Sequence, residues 1–254
     1  MRLNAEGLSK SYGETKALSG VSFELTEGIY GLLGPNGSGK STLINILTGN
    51  LAPQTGKVEF EGEDIREMGI NYRRILGYVP QKQALYADFS AERFLFYMSA
   101  LNGIKTKAAK PSVKEVLREV GLSEVRHDKI KTFSGGMKQR LLIAQSLLNN
   151  PRVLIMDEPS VGLDPKQRVL IRNLLKSMAA DRIILISTHV VSDVENIADK
   201  MMLLKKGRLI GMGTARNMIA YYCRRKKMAF SEKVGMEDVY LHFFGEHYDE
   251  TDIL

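Results

Sequence analysis

Cys223 is the single cysteine among 254 residues. One thiol cannot close an internal disulfide, so the chain has no cross-linked framework, a usage that fits a reducing compartment. Long hydrophobic runs are also missing. The longest, Val153-Leu154-Ile155-Met156 and Ile183-Ile184-Leu185-Ile186, are strand-sized. They fall far short of the roughly 20 apolar residues of a spanning helix. The N-terminus, Met1-Arg2-Leu3-Asn4-Ala5-Glu6, lacks the apolar stretch of a signal peptide. No internal repeat or disordered tract is visible. These absences argue against a disulfide scaffold, a membrane-spanning chain and a solenoid. They leave a soluble globular chain whose membrane role, if any, requires a partner.

What is present suits one α/β domain, or a domain with an embedded subdomain, and a large core. Hydrophobic residues make up 44% and charged residues 26%, the proportions of an ordinary globular protein. The formal net charge is +7. A biased but solvated surface accounts for such a balance; contact with nucleotide, nucleic acid or an anionic membrane surface is the alternative. The basic run Arg224-Arg225-Lys226-Lys227 is too short to argue nucleic-acid binding by itself.

Residues 2–33 read as strands. Val21, Phe23 and Leu25 alternate with Ser22, Glu24 and Thr26, and Val58 and Phe60 alternate with Lys57, Glu59 and Glu61. This period predicts an antiparallel sheet with one wet face. A buried strand, 29–33, leads into a glycine-rich turn and then a helix with Leu43, Ile44 and Leu47 on one side and Gly49 as its stop. Residues 88–150 turn helical. Phe94, Met98 and Leu101 form one stripe; Ser112-Val113-Lys114-Glu115 reads as a capping box opening a short helix closed by Gly121; Met137, Leu141, Ala144 and Leu148 line a third helix. Residues 153–205 alternate strand, helix, strand, helix, strand, as a parallel sheet requires. Lys206-Gly207 reads as a hairpin turn, and 216–254 as an extension that is basic at first and acidic at its end.

Gly34-Pro35-Asn36-Gly37-Ser38-Gly39-Lys40-Ser41 fits G-x-x-x-x-G-K-[ST] between a buried strand and a helix, the context the motif demands. Glycines let backbone N–H groups turn around phosphate oxygens, and the helix that follows points its positive end at the same place. Lys40 supplies a full charge for the β- and γ-phosphates. The Ser41 hydroxyl suits Mg²⁺, which keeps most of its ligands from water and phosphate.

Val153–Met156 ends in Asp157-Glu158. Neighbours on a persisting strand face opposite ways, so two such carboxylates would not share one task. Asp157 is the better candidate for Mg²⁺ through water. Glu158, at the strand's exit, suits the orientation and deprotonation of an attacking water. A second apolar strand ends in Ser187-Thr188-His189. His189 thus sits where ligands bind in open parallel sheets, although a lone histidine there is more often structural.

Phe133-Ser134-Gly135-Gly136-Met137-Lys138-Gln139-Arg140 is similar to the LSGGQ signature of the ABC (ATP-binding cassette) ATPases. With the motifs above, in the family's order and spacing, residues 1–215 resemble that family, most closely its bacterial ABC-2-type exporter ATPases. Ser134 is also a good N-cap, and two glycines leave N–H groups open at a helix start, a second anion site. The resemblance implies a P-loop NTPase core, mostly parallel sheet flanked by helices. An N-terminal antiparallel β subdomain and an inserted helical subdomain at about 83–150 accompany it. It implies ATP and Mg²⁺ as ligands, with nucleotide contacts from Tyr12 on adenine and from Gly34 through Ser41 and Thr42. It assigns catalysis to Glu158, His189 and Gln81, and metal contacts to Ser41, Gln81 and Asp157. Ser134, Gly135, Gly136 and Gln139 would act in trans on a facing subunit. Asp164 would be the D-loop aspartate of the dimer interface, though Asp164-Pro165 is equally good helix-start chemistry. Phe133 stands where Leu is commonest in the family, and Ser160 where Thr is common.

The implied partners are a second ATPase subunit and an ABC-2-type permease, at the cytoplasmic face of a membrane, with no nucleic acid. Met236-Glu237-Asp238-Val239-Tyr240-Leu241 is similar to a motif near the end of many such exporters. Two alternatives stay open: a soluble ABC ATPase acting on nucleic acid or ribosomes, and a nucleotide sensor that does not hydrolyse.

Overall fold

Alternation, interrupted by register shifts within the first strand, builds the first layer. Strand β1 (Leu3–Tyr12) turns at Gly13 into β2 (Thr15–Leu25), and the two pair antiparallel, Leu3 opposite Leu25 and Tyr12 opposite Thr15. The described residues of this computed structural model are 1–82, 84–227 and 234–245. Fully buried β3 (Gly28–Leu33) leads through the glycine-rich turn to α1 (Lys40–Leu47). Strand β4 (Thr55–Phe60) pairs with β1, and short β5 (Glu63–Asp64) continues that sheet, in the order β2-β1-β4-β5. Two short helices, α2 (Ile65–Met68) and α3 (Ile70–Ile75), precede β6 (Leu76–Val79).

Helices then take over: α4 (Ala91–Leu101), α5 (Thr106–Glu119) and α6 (Gly135–Leu147). The chain returns to the sheet as β7 (Val153–Asp157), α7 (Pro165–Met178), β8 (Ile183–Thr188) and β9 (Lys200–Lys205). The Lys206-Gly207 turn joins β9 to antiparallel β10 (Arg208–Gly213). Helices α8 (Ala215–Arg225) and α9 (Met236–Phe244) follow. The second sheet runs β10-β9-β3-β8-β7-β6, parallel except for β10.

Period 2 sorts that sheet's side chains into two cores. Ile29, Leu33, Leu154, Met156, Ile184 and Ile186 pack with α4 through α9. Tyr30, Leu32, Val153, Ile155, Ile183 and Leu185 pack with α1 and the antiparallel sheet. Strands buried on both faces read as unbroken apolar runs for this reason.

Several local expectations change. The buried face of α4 is Ala91, Phe94, Leu95 and Ser99, whereas Leu101 is 63% exposed. The expected stripe was therefore rotated by about one residue. Ser112 caps nothing: α5 begins at Thr106, runs through Pro111, and Ser112 Oγ donates to the Leu148 carbonyl at 2.9 Å. Between β8 and β9 there is only a 3-10 turn, Val191–Asp193, where a helix was expected. The segment beyond 215 is part of the core, because Met236, Val239 and Phe243 are fully buried in it. The acidic end of the chain lies outside the described residues.

Candidate functional site

The parallel strands deliver the chemistry at one end. β3 opens into Gly34, β6 leads to Gln81, β7 stops at Asp157 and β8 at Thr188, each at its carboxyl end. Ligands of open α/β sheets bind at that edge.

The loop 34–39 is tightly built. A Cβ on Gly34 would lie 2.4 Å from the Leu204 carbonyl and 2.6 Å from Ser38 Oγ. Gly39 has φ 107°, and a Cβ there would meet the Ala17 carbonyl at 2.4 Å. Only glycine fits both places. Gly207 N–H donates to the Ser38 carbonyl at 2.9 Å, so the β9–β10 hairpin braces the loop from behind. Tyr12, 51% exposed, stands at the β1–β2 turn, near the Ala17 stretch that abuts Gly39. Asn36, Gly37 and Ser41 are exposed, and Thr42 is partly so.

Buried Lys40 donates from Nζ to the carbonyls of Gly34 at 2.6 Å and Pro35 at 3.1 Å. Burial pushes its ammonium pKa down, and the charges of Glu158 and then Asp157 push it back up. The lysine is thus the counter-charge to both carboxylates. Asp157 accepts a hydrogen bond from buried Ser187 Oγ. Burial raises its pKa above the usual carboxylate range, against the lowering effect of that bond, and the Glu158 charge raises it further.

Glu158 leaves the strand. Its φ is 52°, a left-handed conformation that costs a non-glycine residue about 1–3 kcal/mol. The surroundings hold it there. Its N–H donates to the Ser187 carbonyl at 3.0 Å, Thr188 Oγ1 donates to Oε2 at 3.3 Å, and Oε1 shares a hydrogen bond with His189 Nδ1 at 2.8 Å. With the side chain only 5% exposed, a carboxylate and an imidazole meet beside the phosphate loop. The strained turn re-aims Glu158, so alternation no longer separates it from Asp157.

The residues fit a magnesium nucleotide. Ser38 Oγ is buried without a hydrogen-bond partner, and a buried polar atom of that kind calls for one. A phosphate oxygen would supply it. Hydroxyl, amide and carboxylate oxygens on Ser41, Gln81 and Asp157 form the hard donor set that Mg²⁺ prefers.

The start of α6 takes the expected capped form. Ser134 Oγ accepts from Met137 N–H at 3.2 Å at the start of α6. Gly135 is exposed, with open space where a Cβ would be, but Gly136 is packed: a Cβ would come within 2.3 Å of Gln167 Oε1 and 2.9 Å of the Gly162 carbonyl. The D-loop and signature of one chain are thereby in contact. Gly136→Ala is expected to destabilise the fold by about 1–3 kcal/mol, the usual cost of overpacking, and Gly135→Ala by less than half as much. Thermal unfolding of the two variants measures the contrast; equal losses would sink it.

Asp164 caps α7: it accepts from Gln167 N–H at 2.8 Å, and Gln167 returns a bond to Asp164 N–H at 3.4 Å. Gln139 is largely buried, one turn along α6 from Gly135, and the two line a cavity of about 390 Å³ together with Gln81, Lys82 and Lys138. Sequence reasoning passed over Ser187, Thr188 and Tyr240. The first two were legible as hydroxyls closing an apolar strand. Burial first, and then the Glu158 charge, raise the Tyr240 phenol pKa, which places α9 within electrostatic reach of the site; no local pattern announces that.

A phosphate loop at one strand end, with carboxylates and a histidine at its neighbours, defines an α/β nucleotide-hydrolysing protein. The chain belongs to the ABC transporter family, which matches residues 18–161. It is an ATP-binding subunit of that family and an ATPase. It is 37% identical to the uncharacterized ABC transporter ATP-binding protein YxlF of Bacillus subtilis, over 85% of this chain and 72% of that protein. It is 38% identical to the linearmycin resistance ATP-binding protein LnrL of the same species, over 85% and 70%. It is 36% identical to the Nod factor export ATP-binding protein I of Ralstonia nicotianae, over 86% and 69%. Among solved structures, an ATP binding subunit of an ABC transporter superposes with a TM-score of 0.83 at 27% identity, covering 95% of this chain and 98% of that one. The cassette MJ0796, in a dimeric post-hydrolysis state bound to ADP and Pi, gives 0.76 at 25% identity, covering 84% and 98%.

Proposed function

We propose that two copies of this cassette close head to tail on ATP and drive export through a separate ABC-2-type permease, at the cytoplasmic face of a membrane. The observation that carries the pairing is the presence of two glycine-rich helix starts on one chain, each suited to an anion. One is the loop 34–41, and the other is the exposed start of α6 at Ser134 and Gly135. A two-fold arrangement lets each loop meet the other copy's signature. The dimeric MJ0796 cassette supports this geometry. Export is supported by the relatives named for linearmycin resistance and Nod factor export.

In this reading Gly34 through Thr42 hold the phosphates, and Tyr12 stacks on the base. Ser41, Gln81 and Asp157 would hold Mg²⁺, which would neutralise phosphate charge when bound. Glu158 orients the attacking water and takes its proton, and His189 holds Glu158 at one ring nitrogen. Closure brings the signature to the γ-phosphate, so ATP binds the closed pair more tightly and shifts the population toward it. Loss of the γ-phosphate removes that preference. Helices α4–α6, joined to the sheet through the Gln81 segment, carry the motion to the permease as a unit of about residues 83–150. The exposed Tyr86 and Tyr97 on this unit, packed edge to face with each other, offer an amphipathic contact for it.

Among the described residues no helix is long and apolar enough to cross a membrane. Affinity purification of the tagged chain from detergent-solubilised membranes is expected to recover a polytopic membrane protein and a second ATPase subunit. Recovery of ribosomes or DNA in place of a membrane protein would overturn the export reading.

A further inference from the structure

We propose that Asp193 is a positioning residue of the ATPase, fixing the spacing between the Glu158 segment and the His189 segment by latching the D-loop through Ser160. The two segments run side by side and, beyond the Glu158 N–H bond to the Ser187 carbonyl, are joined by two side-chain rungs. The first is the Glu158–His189 hydrogen bond, 2.8 Å, reinforced by Thr188 on Glu158. The second is Ser160 Oγ donating to Asp193 Oδ2. Only Pro159 separates Glu158 from Ser160, and Asp193 ends the 3-10 turn that follows His189. The second rung therefore sets the angle and separation at which the first one forms.

Asp193 is built for this task. Both of its oxygens are used, because Arg168 Nη1 donates to Oδ1 at 3.2 Å. Arg168 Nε also donates to the Leu163 carbonyl at 3.2 Å, so the loop is held at Ser160 and at Leu163 by one carboxylate–guanidinium pair. The Asp193 side chain is only 9% exposed while Arg168 remains half in water. Burying a carboxylate has a desolvation cost, which the hydrogen bonds from Ser160 and Arg168 offset. Packing does not substitute for the latch, since a cavity of about 460 Å³ is lined by Ser160, Leu163, Arg168 and Asp193. The far end of the same loop meets Gly136 through the Gly162 carbonyl. Asp193 thus bears on both half-sites of its chain.

This inference rests on the roles proposed for Glu158 and His189, and the test separates the two. Steady-state ATPase kinetics of the full chain are measured for Ser160→Ala, Asp193→Ala, their double variant and Ser160→Thr, with Glu158→Gln alongside and thermal midpoints for each. Losing a hydrogen bond to a charged group is expected to lower kcat about 10-fold, with KM for ATP held within about two-fold. The double variant should be no worse than the poorer single one, as residues acting in one contact are non-additive. Ser160→Thr, which keeps the hydroxyl, should recover most of the rate. Unchanged kcat in both alanine variants overturns the latch, as does a Ser160→Thr variant as impaired as Ser160→Ala. A loss of rate that only tracks a falling thermal midpoint also overturns it. Wild-type turnover by Glu158→Gln would overturn the site reading itself, whereas a dead Glu158→Gln beside unaffected latch variants rejects the latch alone.

Discussion

Glu158→Gln is expected to abolish steady-state phosphate release while leaving ATP binding intact, and to accumulate an ATP-bound dimer. The amide keeps the size and an acceptor oxygen for Thr188 or His189, so the strained turn at φ 52° retains its supports. What it loses is the ability to take a proton. A positioned general base is worth about 10²–10⁴ in rate, and a loss of that order is expected. The nucleotide contacts lie on other residues, so affinity should stay within a few-fold. Phosphate release, read together with size-exclusion chromatography in the presence of ATP, checks both halves. Wild-type release would remove Glu158 from the role of base. A variant that neither binds ATP nor dimerises would place it in the binding site.

Lys40→Ala is expected to cut ATP affinity and turnover together, by about 100-fold or more, since charge-assisted bonds of this kind are worth about 1.5–3 kcal/mol each. Two of its contacts are visible without nucleotide. The ammonium holds the Gly34 and Pro35 carbonyls, and it faces Asp157 and Glu158 as their counter-charge. Alanine removes the phosphate contact and leaves two carboxylates confronting an anionic ligand. Lys40→Arg should recover little, because a planar guanidinium does not replace a compact ammonium in so narrow a cradle. Equilibrium binding of a fluorescent ATP analogue measures the effect; unaltered affinity and rate would take Lys40 out of the site.

Much of this was legible because the governing physics is local. The loop 34–41 announces itself by spacing, and the strands Val153–Asp157 and Ile183–Thr188 by apolar runs bounded by polar residues. The alternation of Val21, Phe23 and Leu25 is equally local, and each is buried as the period requires. The Ser134 cap and the Asp164 box form as their side-chain chemistry dictates. What stayed hidden depends on distant partners. Ser112 fits a capping box on paper, but α5 had already started at Thr106 and the hydroxyl found the Leu148 carbonyl. Gln139 lies one helical turn after Gly135 and shares a cavity with it, but the Gln81 segment that lines the same cavity comes from a distant strand end. The left-handed turn at Glu158 is held by β8, so no reading of 153–158 alone could reveal it.

The same dependence on distant segments shapes how the polypeptide is made. Gly28 finds its register partner in Ile183, and Tyr30 finds another in Lys200. At the ribosome β3 therefore emerges long before either neighbour exists, as an apolar strand with both edges unpaired. Closing such non-local pairings is slow, and a waiting edge is prone to the wrong partner. The larger core remains open until Met236, Val239 and Phe243 have been synthesised. Nascent chains stalled before that point would carry a finished phosphate loop on an unfinished body, and quality control would meet them as clients for holding or degradation.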